Sequence, residues 1–285
     1  SAFHAMFSVG GVIASLAGAG AASAGMSPAA GMGAVGTVGI VTALASARGL
    51  LPTAPTSAAT ADAEGSAATA DAEGSAATAD AEGEGAPAGK PRSAHGRIWV
   101  LAALALMVML SEGAANDWSA LHLKDILGAP ASTAAVGYGT YAAAMTTGRL
   151  LADRVSGRLG PMAVLRYGAV TAAVGITIVA VSPWIWAAFA GWALFGLGLS
   201  GCVPQLFSAA GRADPSAAGA NVSRVAGLGY LGMLSGPAVI GWLTHLVALN
   251  HALLLLTLLC AIAAAAAGVL RTGSDRTREM ARGSH

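Results

Sequence analysis

The acidic residue Glu112 lies inside a long apolar run, where an ionisable side chain is costly and is therefore a candidate for function. Counting along a helix from Arg97 places it about 22 Å along its segment, within an apolar core about 30 Å thick. Asn116 and Ser119 follow at i+4 and i+7, so all three share one helix face. A carboxyl group at that depth is either protonated or faces a hydrated cavity, and both suit proton coupling or solute binding. A structural carboxyl group bonded to a neighbouring helix is the alternative.

Three further polar residues are candidates for a solute or coupling site. Asp117 lies about 30 Å along the same segment, at the outer surface, where an ordinary solvated carboxylate is the alternative. Tyr141 lies on the next helix, where hydroxyl groups line a cavity or are simply tolerated in the bundle. The same helix carries Tyr138, Thr146 and Thr147. Gln205 follows Pro204, and a proline-loosened helix with a polar side chain suits a gate or a binding site.

The chain contains no catalytic or metal-binding motif that we recognise. Cys202 and Cys260 lie inside apolar runs without metal-ligand spacing and are interpreted as small buried hydrophobic residues. Segments beginning at Gly31, Gly196 and Gly227 match GxGxxG, but none follows a strand in a βαβ unit, and 39 glycines make chance matches common. No basic face is present to contact phosphates. We therefore predict no enzyme activity, no cofactor, no metal and no nucleic-acid partner.

The elements that position these residues are predicted to be transmembrane helices. The 285 residues are 55% hydrophobic and 10% charged, whereas soluble domains carry about 25% charged residues. The mean hydropathy is +0.65. Because the apolar runs lack the alternation of barrel strands, the predicted fold is an all-α polytopic membrane protein with about eight transmembrane helices. The runs cover residues 3–24, 29–50, 98–121, 131–152, 162–182, 184–208, 223–247 and 251–270.

Some residues in these runs have structural interpretations. Trp118 is expected in an interfacial aromatic belt, and His122, close to a predicted helix end, is expected to be an interfacial imidazole. Gly232 and Gly236 form a GxxxG pair, which predicts close approach of two helix backbones.

The segment 52–96 differs from the rest of the chain in its composition, its repeats and its charge. Residues 57–65, 66–74 and 75–83 are identical copies of SAATADAEG, and half of the chain's 14 acidic residues lie in this segment. It cannot bury an apolar face, so we expect a disordered acidic linker. The chain begins at Ser1 within an apolar run, and we expect it to be the later part of a longer protein. The predicted organisation is two helices in 1–51, the linker 52–96, a six-helix bundle in 97–271 and a tail in 272–285.

Orientation follows from the distribution of basic residues. If the linker is cytoplasmic, every one of the 15 lysines and arginines except Lys124 falls on the cytoplasmic side. The linker and the C-terminal tail are therefore predicted to lie in the cytoplasm, with the helices in the inner membrane.

The polar stretch at 148–160, GRLLADRVSGRLG, interrupts two apolar runs and fits a tight turn at the membrane surface. It resembles the cytoplasmic signature of the major facilitator superfamily, G-x-x-x-D-R/K-x-G-R/K. Gly148 comes one residue early and Gly157 one residue late. Arg149 lies one turn before Asp153, and an i,i+4 pair or snorkelling to the interface explains it without function. Stretches 111–118, 145–150 and 196–212 are similar to the fucose-permease-like bacterial branch, and 229–236 with Pro237 resembles a glycine–proline helix motif of antiporters.

The resemblance implies a partial fold corresponding to helices five to twelve, with the first four helices absent and the linker as the central cytoplasmic loop. It also implies alternating access around a midplane site. Glu112 and Asn116 would line the cavity. Carried over from the motif, Asp153, Arg154 and Arg158 would latch the cytoplasmic ends of the bundles, together with Gly148, Arg149 and Gly157.

Three functions remain open at this stage. The first is a secondary transporter of a small solute such as a sugar or a drug-like molecule, with protons as a candidate coupling ion and the missing N-terminal helices as a candidate partner. The second is a decayed or split product that folds in part without transport. The third is an intramembrane enzyme or another helical membrane protein, which should show a nucleophile or a metal set at depth.

Overall fold

The computed structural model describes residues 2–50 and 91–270. Within these ranges the chain forms helices and no strand, which confirms the prediction of an all-α polytopic membrane protein. The α-helices are α1 (Ala2–Ser23), α2 (Pro28–Leu50), α3 (Pro91–Leu121), α4 (Ala131–Leu159), α5 (Pro161–Val181), α6 (Ile185–Leu199), α7 (Cys202–Ala213), α8 (Ala218–Leu243), α9 (Leu249–Ala252) and α10 (Leu254–Ala266). Helix α3 begins at Pro91, before the linker was expected to end.

Six helical segments in the described residues are long and apolar enough to cross a membrane: Ala29–Ser46, His95–Ile126, Pro161–Val181, Ile185–Ala213, Pro215–Leu243 and Leu249–Leu270. Helix α4 is not among them although it has 29 residues. Its sequence is built from Ala, Gly, Thr and Tyr in place of large aliphatic residues, and its last turns are charged. Low hydropathy in a helix of full length is typical of a helix that faces protein or a polar cavity more than lipid.

Contacts divide the chain into two units, Ser1–Gly31 with Lys90–His285, and Met32–Gly89. In the larger unit, α3 packs along α8, α4 packs against α1 and α6, and α5 packs between α6 and α10. The smaller unit is described only from Met32 to Leu50, as the continuation of α2. The predicted repeats at 57–83 and the predicted tail at 272–285 lie outside the described residues.

The close contact between α3 and α8, the α3–α8 seam, depends on glycine residues, which have no side chain. A Cβ atom placed on Gly232 or Gly236 would overlap the backbone carbonyl of Leu106 or Leu110, so the GxxxG spacing does bring two backbones together as predicted. On the α3 side of the seam, Gly113 packs against the backbone carbonyl of Met233 on α8. Pro237 lies four residues after Met233 and has no N–H group to bond that carbonyl. The proline thus removes the helical donor for the Met233 carbonyl at a point where α3 and α8 are in close contact.

Two local departures from α-helix occur in the described helices. The segment Ile185–Ala213 breaks near its middle, at Ser200 and Gly201, between α6 and α7. The Ser200 hydroxyl donates to the carbonyl of Leu197 at 2.6 Å and so satisfies one acceptor at the break. The second departure follows α3, which continues as a π-helical turn, His122–Ile126.

Candidate functional site

An ion pair between α3 and α4 is the centre of the candidate site. The Arg149 guanidinium donates from Nη2 to Oε1 of Glu112 at 2.7 Å. The side chains are only 12% and 9% exposed, so both charges are largely withdrawn from solvent. In a buried pair each ion offsets the desolvation of the other, and loss of either partner leaves an uncompensated charge.

The pair forms one wall of a small cavity of about 10 Å³, room for about one water molecule. The lining consists of Glu112, Asn116, Tyr138, Tyr141, Ala142, Met145 and Arg149. An amide, two phenols and a pair of opposite charges converge there, as in sites that orient a polar ligand. Small-molecule sites usually enclose about 300–1,000 Å³, so the described helices supply polar groups of a site but do not enclose a solute-sized space.

The helix geometry explains how these residues meet. Glu112 and Asn116 are one turn apart on α3, and Tyr138, Tyr141, Met145 and Arg149 recur at intervals of three and four on α4. Arg149 lies ten residues before the end of α4 at Leu159, which corresponds to about 15 Å. The ion pair therefore lies about three turns from the charged end of α4, and the depth of Glu112 in a membrane stays a prediction.

The structure places Arg149 differently from both sequence interpretations. An i,i+4 pair with Asp153 and snorkelling to the interface were the expectations. Instead the guanidinium turns inward to Glu112, 37 residues away in sequence, and Asp153 is exposed. A buried carboxylate on α3 is a stronger partner than an exposed one on the same helix because water screens the second. Arg149 thus lines the cavity rather than the membrane surface.

Asp117 and the threonines of α4 do not line this cavity. Asp117 is exposed, as the alternative of a solvated carboxylate predicts. The hydroxyl groups of Thr146 and Thr147 each donate to a carbonyl of their own helix, at Ala142 and Ala143, at 2.8 Å. Such bonds satisfy the hydroxyl locally and leave no free donor for a ligand.

Gln205 lies at the charged end of α4 and not in the cavity. Its Oε1 accepts a hydrogen bond from the Ser156 hydroxyl at 3.3 Å, between α7 and the polar stretch. The predicted gate residues Asp153, Arg154, Gly157 and Arg158 of that stretch are exposed. Gly148 is buried, and a Cβ there would overlap the Ser200 hydroxyl at the break between α6 and α7. The stretch therefore contacts α7 through Ser156 and the break between α6 and α7 through Gly148.

Trp118 is half-buried, and its indole N–H donates to the carbonyl of Pro237 at 3.1 Å. Its place in an aromatic belt stays a prediction. His122 differs from the interfacial placement that was expected, because it is completely buried, with its ring 6.2 Å from that of Trp192 on α6. Sequence position near a helix end misled that interpretation because neighbouring helices cover that end of α3. Among the described residues, no group of three His, Cys, Asp or Glu side chains is arranged to hold a metal ion.

Similarity to known proteins points to transport. The chain is 34% identical over 282 residues to an uncharacterized MFS-type transporter of Yersinia pestis, covering 95% of this chain and 64% of that protein. It is 33% identical over 174 residues to an uncharacterized transporter of Sinorhizobium fredii, covering 61% of this chain and 46% of that protein. It is also 30% identical over 170 residues to the membrane protein MosC of Rhizobium meliloti, covering 60% of this chain and 42% of that protein.

The chain thus spans less than two thirds of the length of each of these relatives. No model of a protein family matches it. Two of these relatives are named as transporters and the third as a membrane protein, which agrees with the expectation that the chain is not an enzyme.

Proposed function

We propose that the chain is part of a major-facilitator-type secondary transporter that moves a small polar solute by alternating access. The observation that carries the proposal is the buried Glu112–Arg149 pair beside a cavity lined by Asn116, Tyr138 and Tyr141. The similarity to an MFS-type transporter over 95% of the chain supports it. In this proposal the helices correspond to five to twelve of a twelve-helix transporter, and further helices complete the site.

Glu112 is proposed to couple solute movement to protons. Ionised Glu112 holds the Arg149 guanidinium, whereas a protonated carboxyl group has lost the charge that does so. Protonation would release Arg149 toward the cavity, where a five-donor planar cation can bind a polar solute. Binding of a proton and of a solute are thereby linked through one side chain, which is the requirement for coupled transport.

The polar stretch on α4 is proposed as a cytoplasmic gate. Its link to α7 through Ser156 and Gln205 and the contact of Gly148 with Ser200 lie next to the break between α6 and α7. A broken helix can change direction at small cost, so the break is a suitable hinge for opening and closing that end of the bundle. The exposed Asp153, Arg154 and Arg158 are then available to latch against other helices of the whole transporter.

The solute proposed first is a monosaccharide, in line with the resemblance of 111–118, 145–150 and 196–212 to the fucose-permease-like branch. Aromatic rings beside amide and charged groups suit a ring with several hydroxyl groups. The site of action is proposed to be the inner membrane, with the linker and the C-terminal tail in the cytoplasm.

Uptake by membrane vesicles tests the proposal. The complete reading frame is expressed, and a panel of radiolabelled monosaccharides, including fucose, is offered under an inward proton gradient. We expect gradient-dependent accumulation of at least one sugar, and loss of that accumulation in Glu112→Gln. The matched control is Asp125→Asn, because Asp125 is an exposed carboxylate in the turn after α3 and takes no part in the cavity.

Equal accumulation in wild type and Glu112→Gln contradicts the role of Glu112. Absence of any gradient-dependent uptake across the panel contradicts the sugar, and absence of efflux of cationic dyes as well contradicts transport of either solute class.

A further inference from the structure

Buried polar atoms without a hydrogen-bond partner concentrate in one part of the larger unit. The structure has six such side-chain atoms among the residues it describes. Five of them belong to four residues, namely Ser119 Oγ, His122 Nδ1 and Nε2, Tyr141 Oη and Trp192 Nε1. These four residues are at most 2% exposed. The sixth atom, Nδ2 of Asn221, lies on α8, outside this group.

The four residues form a continuous group that begins at the cavity. Tyr141 lines the cavity beside Glu112. Its ring centroid is 6.3 Å from that of Trp192, and the ring of Trp192 is 6.2 Å from that of His122, both edge-on. Ser119 lies one turn before His122 and two turns after Glu112, so α3 presents all three on one side. The group therefore runs from the cavity beside Glu112 to the π-helical turn, where Lys124 and Asp125 are exposed.

These buried polar atoms would lower the stability of the fold if no water molecule formed hydrogen bonds with them. A buried polar group without a partner costs about 1–3 kcal/mol, and five such atoms would together approach the stability of a whole domain. The backbone of Val179 lies beside the His122 ring and can accept a hydrogen bond from one of its nitrogen atoms, which still leaves four of the five atoms without a partner. Internal water is the usual partner of such groups, and a site needs several polar atoms within reach to hold it.

We propose that Ser119, His122, Trp192 and Tyr141 bind a file of internal water molecules that leads protons from the end of the bundle at the π-helical turn to the carboxyl group of Glu112. This inference rests on the proposed function for the coupling role of Glu112, but the water file itself does not depend on it. A proton would pass from bulk water along the file and protonate the Glu112 carboxylate, which then releases Arg149. The return step deprotonates Glu112 toward the other side after the bundle has changed conformation.

Radiolytic footprinting tests the water file without any transport assay. Hydroxyl radicals formed from bound water oxidise side chains next to it, and the sites are read by mass spectrometry of the complete protein in lipid nanodiscs. We expect Trp192 and Tyr141 to be oxidised although both are buried. The internal control is Met109, which is 4% exposed and packs beside Gly229 in the α3–α8 seam. Its sulfur is the more reactive group, so it remains unmodified only where water is absent.

The footprinting experiment has three outcomes that decide the water file. Oxidation of Trp192 and Tyr141 with Met109 unmodified supports the file. Protection of Trp192 and Tyr141 overturns it, because the cluster is then dry. Oxidation of all three overturns it as well, because water then enters the bundle generally.

Transport by His122→Phe tests whether the file carries protons. Phenylalanine fills the ring volume but removes both nitrogen atoms, and loss of one hydrogen-bonding step should slow gradient-driven accumulation about tenfold. Exchange of labelled for unlabelled solute at equal pH needs no net proton movement and should be retained. The matched control is His251→Phe, because His251 is exposed.

Unchanged accumulation in His122→Phe overturns the proton path even if water is found. Loss of both accumulation and exchange also overturns it, since the effect is then not specific to protons. If Glu112→Gln alone leaves accumulation unchanged, the proposed function fails, and the footprinting still decides the water file separately.

Discussion

Glu112 and Arg149 each occupy a position that would be unfavourable without the other. The two charges are about one-tenth exposed and are joined at 2.7 Å. Replacing a buried pair by apolar residues is often neutral for stability, whereas removing one member is strongly unfavourable. The pair is therefore better explained as a functional element than as a source of stability.

A double-mutant cycle tests whether removing one member of the pair lowers stability more than replacing both. Arg149→Met leaves the Glu112 carboxylate buried without its cation and should lower the free energy of unfolding by about 3 kcal/mol. Adding Glu112→Met should recover most of that loss, because no charge then remains to be desolvated. Unfolding in mixed detergent micelles, followed by circular dichroism, measures both variants. Additive losses from the two single substitutions would show that the residues are not coupled.

The hydrogen bond between Ser156 and Gln205 supports a second prediction at this scale. Gln205→Leu keeps the side chain's volume but removes the acceptor for the Ser156 hydroxyl. A neutral hydrogen bond contributes about 1 kcal/mol, so the ratio of closed to open states of the proposed gate should fall about fivefold. Spin-label distances between the charged end of α4 and α7 measure that population. An unchanged distance distribution means that the bond does not hold the gate.

Sequence reasoning identified Glu112 and Asn116 because depth and helical spacing can be counted along one chain. It misplaced Arg149 and His122, since each is determined by a neighbour on another helix. Asp153 was the visible partner for Arg149 at i+4, but the partner in the structure is 37 residues away. One signal was available, because two opposite charges in adjacent apolar runs indicate a cross-helix pair.

Helices α3 and α8 illustrate what could be predicted at the scale of elements. Composition and turn residues predicted both spans, and the GxxxG spacing predicted a close backbone contact. The partner helix could not be predicted, because Gly113 of α3 has no recognisable spacing of its own. The free carbonyl that Pro237 leaves at Met233 explains why a glycine is needed opposite it.

Gly236→Val tests the seam. The new side chain meets the carbonyl of Leu110 and must push α3 and α8 apart, so we expect a loss of about 1–3 kcal/mol or more in unfolding free energy. Gly227→Val on the same helix is the matched control, because no atom lies within 4 Å of a Cβ at Gly227. Thermal unfolding in nanodiscs compares the two. Equal melting temperatures would mean that the helices are not in close contact at Gly236.

At the scale of the whole molecule, the account depends on which end of the bundle faces the cytoplasm. The basic residues predict that the linker and the charged end of α4 are inside and that Lys124 is outside. Cysteine labelling in intact cells with a membrane-impermeant maleimide measures this directly. Lys124→Cys should react in intact cells, and Gly85→Cys only after permeabilisation, while the native cysteines Cys202 and Cys260 stay unreactive because they are buried. The reverse pattern would invert the proposed topology and the direction of the water file.

The central claim is that one buried carboxyl group links proton and solute movement. The most direct measurement compares gradient-driven accumulation with solute exchange at equal pH, for wild type and Glu112→Gln in the same vesicles. Glutamine mimics the protonated carboxyl group, so the account predicts that accumulation falls by about tenfold or more while exchange persists. Accumulation at the wild-type rate in Glu112→Gln would contradict the claim, because the carboxyl group would then play no part in coupling.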